Sequence, residues 1–141
     1  MPLVTICGHL GRQYSLNRLQ QEGYDITPVQ TRALACLSCA QKEVSQRDLE
    51  RELRLRPSTV NGIVSRLEEK GYISRRTSPS DARCRLVSLT DTGRQQVEAF
   101  ESIVDGVGQR YTEWLSDEEN QTLLNLLARI IENLENEVNS I

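Results

Sequence analysis

Apolar positions along the chain keep a helical rhythm at first, switch once to strict alternation, and then return to the helical one. Leu3, Ile6, Leu10 and Tyr14 repeat at helical spacing with polar residues between them, which predicts an amphipathic helix over residues 3–22 that Gly23 ends. Thr27-Pro28 supplies an N-cap and a proline at the first helical position, and Val29, Ala33, Cys36, Leu37 and Ala40 mark the expected buried face of a second helix. Ser45-Gln46-Arg47-Asp48 reads as a variant capping box for a short helix carrying Leu49 and Leu53. Pro57 then opens a helix with Val60, Ile63, Val64 and Leu67 on one face, and Gly71 closes it.

After Gly71 the period falls to two. Residues 72–76 and 85–89 read as strands joined by a long loop over 77–84, a hairpin. The helical rhythm returns near Asp91 with Val97, Phe100, Val104, Val107, Tyr111 and Leu115. Ser116-Asp117-Glu118-Glu119 is a full capping box for a last helix. There Leu123, Leu124, Leu126, Leu127, Ile130, Ile131, Leu134 and Val138 cover more than one face. So broad a stripe needs burial on two sides, either between two neighbours in the core or, with the first helix, against a second copy of the chain.

Two short helices, a tight connection, a polar-faced helix and a hairpin make a winged helix-turn-helix. The expected fold is mainly α with a minor β component. Its expected parts are an N-terminal dimerisation helix (1–26), a winged helix-turn-helix domain (27–94) and a C-terminal helical dimerisation region (95–141).

The outer face of the Pro57 helix carries Ser58, Gly62 and Ser65, flanked by Thr59, Asn61 and Arg66. A solvated face usually carries Glu, Lys and Gln, and a mid-helix glycine costs about 1 kcal/mol against alanine. Short hydrogen-bonding residues there suit a close approach, and a duplex groove is one candidate.

Charge sharpens this reading. The 141-residue chain is −3 overall, yet residues 54–85 hold eight Lys/Arg against three acids, and residues 42–94 are +4 between flanks that total −7. A basic centre in an acidic chain suggests an anionic partner. Aromatic residues are only 4% of the chain, so aliphatic side chains must fill the core. No run approaches the roughly 18 apolar residues of a membrane helix and no secretory pattern opens the chain, so a cytoplasmic location is expected, without membrane contact.

The recognition-helix stretch STVNGIVSRLEEKGYISRR and the wing with its return strand, SPSDARCRLVSLTDTGR over 78–94, resemble the MarR family of winged helix-turn-helix transcriptional regulators. The resemblance covers nearly the whole chain. It implies a triangular homodimer with first and last helices interleaved, recognition helices in successive major grooves of a pseudo-palindromic operator, and wings over the flanking minor grooves. It implies that Arg83 is the wing-tip arginine entering a minor groove and Asp81 its positioning carboxylate. A guanidinium suits the negative potential of a narrow groove. Ser58, Thr59, Asn61, Ser65 and Arg66 would face base edges and phosphates. Arg75, Arg76 and Arg85 are expected to meet phosphates, the preferred reading, or to brace the hairpin.

Family members commonly release DNA on meeting a small phenolic molecule, a metal or an oxidant. By the same resemblance a cleft lined by Tyr14 and Tyr111 would admit an aromatic effector. Cys84, between Arg83 and Arg85 on an exposed loop, is a candidate redox residue, as is Cys7 near the chain start. Cys36 and Cys39 have CxxC spacing within a helix, which favours inert thiols, and Cys7 and His9 point to opposite sides, so no metal site or cofactor is expected. An alternative is a winged-helix module that binds an acidic protein. An enzyme is the weakest reading, because the single histidine has no visible catalytic partner and no glycine-rich phosphate loop is present.

Overall fold

The computed structural model describes residues 2–141, apart from the side chain of Val107, so the expected burial of that residue lies outside what is described. The chain forms α1 (Leu3–Gln21), α2 (Pro28–Ala40), β1 (Val44–Ser45), α3 (Gln46–Leu53), α4 (Pro57–Glu69), β2 (Ile73–Thr77), β3 (Arg85–Leu89), α5 (Asp91–Glu113) and α6 (Asp117–Asn139). One compact unit ends at Ile103 and a second runs Val104–Ile141. This boundary falls inside α5.

The first unit is a winged helix. Its core joins Leu19 of α1, Ala33, Leu34 and Leu37 of α2, Leu49 and Leu53 of α3, Val60, Val64 and Leu67 of α4, Ile73 and Val87 of the hairpin, and Val97 and Phe100 of α5. Tyr24 meets the Phe100 ring edge-on, with centroids 5.1 Å apart. The buried face of α2 differs from the expected one. Ala33 and Leu37 are buried as anticipated, together with Leu34 and Gln30, whereas Val29, Cys36 and Ala40 are only half-buried. The true stripe is 30-33-34-37, and a glutamine hides its first position. Gln30 is buried because its side chain completes a capping box with Thr27 and also accepts a hydrogen bond from Lys70 Nζ.

The turn chemistry follows the sequence closely. At the end of α4, Gly71 N–H bonds to Glu68 and Tyr72 N–H to Leu67, a double closure that needs the left-handed φ of +78° at Gly71. Ser116 and Glu119 form the reciprocal cap of α6. The cap of α3 is only half made: Ser45 Oγ accepts from Asp48 N–H, and Asp48, a methylene shorter than glutamate, turns to Arg51 instead of reaching back.

The sheet is antiparallel in the order β1-β3-β2, with Val44 opposite Val87 and Arg75 also opposite Val87. Two residues are too few to show alternation, so β1 leaves no mark in the sequence.

Thr90, between β3 and α5, ties wing to body. Its Oγ1 donates to the Gly71 carbonyl at 2.6 Å and accepts from Gly93 N–H at 3.0 Å. The run Leu89-Thr90-Asp91-Thr92-Gly93-Arg94 is thus a structural joint.

Candidate nucleic-acid interface

The amphipathic spacing of α4 settles which face is presented. Val60, Val64 and Leu67 are fully buried and Ile63 is packed against the same core, so Ser58, Thr59, Asn61, Gly62 and Arg66 are left exposed and Ser65 half-exposed. A Cβ built on Gly62 meets nothing within 4 Å, so no packing constraint in the chain itself requires glycine there.

Strand alternation separates the two adjacent arginines of β2. Arg75 shares a face with buried Ile73, and Arg76 points the other way. Arg75 lies across α4: Nη1 donates to Asn61 Oδ1 at 2.8 Å, while Nη2 donates to Ser65 Oγ at 3.1 Å and Glu68 Oε1 at 3.2 Å. Its side chain is only 14% exposed, and these contacts brace the hairpin against the helix, the second of the two expected roles. Arg76 forms a two-pronged pair with Glu43, both contacts at 2.6 Å. That hydrogen bond holds the Glu43 carboxyl below the usual carboxylate range.

At the wing tip, Asp81 Oδ1 accepts from the backbone N–H of Arg83 at 2.9 Å, and the Asp81 carbonyl accepts from Cys84 N–H. Ser78 N–H reaches the Cys84 carbonyl at 2.8 Å and closes the loop. Asp81 therefore shapes the backbone that carries Arg83 and does not pair with its guanidinium. Among the described residues, Arg66, Arg83 and Arg85 are exposed and make no ion pair. The same holds for Arg54 and Arg56, which flank the start of α4. Sequence reasoning counted these two in the charge balance without assigning them to the site.

The thiols are dispersed. Cys7 and Cys39 are exposed, and Cys84 is half-buried, more enclosed than its loop position suggested. Burial, then the nearby Glu52 carboxylate, pushes the Cys36 thiol up, which suits an inert side chain. No group of three or more metal-ligating side chains occurs among the described residues. A cleft of about 590 Å³ in the first unit is lined by residues including Leu37, Lys42, Glu43, Arg94 and Glu98, and neither Tyr14 nor Tyr111 lines it. Tyr14 is exposed on α1, and Tyr111 stacks obliquely on Trp114 at 5.8 Å.

The MarR family model matches residues 26–85, from the approach to α2 to the first residue of β3. MepR, a transcription regulator of the Staphylococcus aureus multidrug efflux pump MepA, is 31% identical over 94% of this chain and 96% of its own, with a TM-score of 0.81. This chain belongs to the MarR family. A MepR variant from the same organism, solved bound to an oligodeoxyribonucleotide, is 32% identical over 94% of this chain and 95% of its own, with a TM-score of 0.72. The HTH-type transcriptional regulator YdgJ of Bacillus subtilis is 35% identical over 94 residues, 67% of this chain. The chain spans about half the length, 44–60%, of the curated relatives it matches. No described helix is long and apolar enough to cross a membrane.

Proposed function

We propose that this MarR-family regulator works as a homodimer that binds a pseudo-palindromic DNA duplex and represses transcription. Each α4 enters a major groove through Ser58, Thr59, Asn61, Gly62, Ser65 and Arg66. Each wing lays Arg83 in a flanking minor groove, with Arg85 on phosphate and Asp81 fixing the tip. The observation that carries this reading is the set of exposed guanidinium groups of Arg66, Arg83 and Arg85, without ion pairs among the described residues, around a helix face of small polar side chains. The oligonucleotide-bound relative supports it.

Dimerisation follows from apolar surface that the single chain leaves uncovered. Leu3, Val4 and Leu10 are exposed on α1, and α6 buries no side chain while exposing Leu124, Ile131 and Leu134. A second copy covers these faces, with residues 1–26 and 95–141 as the dimerisation parts. Relief of repression by a small aromatic ligand, or by oxidation at Cys7, is supported by kinship, and oxidation at Cys84 by its place between Arg83 and Arg85.

Selection of duplexes from a random pool by the purified protein, followed by nuclease footprinting, tests the reading. The expected result is a two-fold symmetric site of about 20 base pairs with half-sites roughly one turn apart. A protein that retains no duplex and protects none is instead a protein-binding module.

A further inference from the structure

We propose that Arg75 is a positioning residue that fixes the base preference of Asn61 by turning its amide N–H donors toward the duplex. This assignment rests on the DNA-binding reading above.

A guanidinium carries only N–H donors, so the side-chain amide beside it must present its oxygen. Arg75 Nη1 donates to Asn61 Oδ1 at 2.8 Å, and the reverse orientation would set two donors against each other. Asn61 is exposed, so the group left facing outward is its Nδ2, with two hydrogens to give. The Arg75 guanidinium is itself anchored by Ser65 Oγ and Glu68 Oε1 and is largely enclosed, so it cannot swing aside freely.

An asparagine reads adenine by accepting from N6 and donating to N7 at the same time, which needs both amide atoms aimed at one base edge. Arg75 engages one lone pair of the accepting atom and holds that atom toward β2. A lone amide donor set against adenine finds a single acceptor, N7, beside the N6 hydrogens, and against cytosine meets only the N4 hydrogens. Guanine offers N7 and O6, and thymine O4, without an opposing donor. Ser65 is biased in the same direction, because its oxygen already accepts from Arg75 and its hydroxyl hydrogen remains to be given. The centre of the α4 face therefore selects acceptor edges.

The test is selection from a random duplex pool with full-length wild type, Asn61→Ala, Arg75→Met and Asn61→Asp. Asn61→Ala locates the position in each half-site whose preference flattens. There the wild type is expected to favour guanine or thymine over adenine by about tenfold. Arg75→Met frees the amide and raises adenine at that position only. Should that variant fold poorly, Asn61→Asp keeps the Arg75 contact, offers only oxygen outward, and is expected to move the preference to cytosine or adenine. A wild-type preference for adenine or cytosine there overturns the assignment, as does the absence of any flattened position or retention of guanine or thymine by Asn61→Asp, while the DNA-binding reading survives. If the wild type selects no duplex, that reading falls and takes the assignment with it.

Discussion

A Cβ on Gly93 would stand 1.9 Å from the carbonyl oxygen of Tyr72. That oxygen also accepts from Thr90 N–H, so neither backbone is free to retreat. Gly93→Ala is expected to destabilise the protein by about 3 kcal/mol, the upper range of overpacking costs, read from urea unfolding midpoints. A variant as stable as wild type would mean that this joint yields easily.

Gly62 is the opposite case. With open space around its missing Cβ, Gly62→Ala is expected to raise stability by about 1 kcal/mol through helix propensity. On the proposed docking of α4 the added methyl would stand where a groove wall approaches, so operator affinity is expected to fall in the same variant. Stability and binding moving upward together would remove Gly62 from the interface.

Arg83→Ala is expected to weaken operator binding and to reduce the slope of log K against log salt by about one. Stability is expected to hold, because the guanidinium makes no ion pair among the described residues. Titrations at several salt concentrations decide it; parallel lines for the two proteins contradict the wing assignment.

The Arg76–Glu43 pair gives an acid signature. The folded-state pKa of Glu43 is depressed, first by its hydrogen bond to Arg76. The pair's contribution is thus complete above the ordinary glutamate value and is lost as pH falls through the lower folded value. Wild type is expected to melt slightly above Glu43→Gln at pH 6, and the two curves to converge as pH falls below the ordinary glutamate value. A constant offset across that window would assign the stabilisation to something other than charge.

Leu134 of α6 is 58% exposed in the single chain. Leu134→Glu is expected to shift the protein from dimer to monomer in sedimentation experiments and to abolish binding to a symmetric site. An unchanged sedimentation coefficient in a dimeric wild type would place the dimer contact elsewhere.

The parts of this fold that announce themselves locally were legible in the sequence. The buried stripe of α4 and the caps at Thr27 and Ser116 depend on neighbours within one or two turns, and the hairpin declares itself by its change of period. What was hidden depends on partners far along the chain. Gln30 is buried through its bond to Lys70, 40 positions away, and Arg76 is spoken for by Glu43, 33 positions earlier. Arg75 was within reach: two adjacent strand residues face opposite sides, so one of the pair had to turn toward α4.

The two-residue strand β1 has a consequence for how the chain assembles. Val44 and Val87 are 43 positions apart, so the sheet gains its β1–β3 pairing only after the intervening helices and the first wing strand have been synthesised. Closing so long a loop is entropically slow, whereas the α3–α4 turn forms among immediate neighbours. On the ribosome the helical pair is expected to emerge and collapse first, and the wing to dock as the late, cooperative step that locks the reading head.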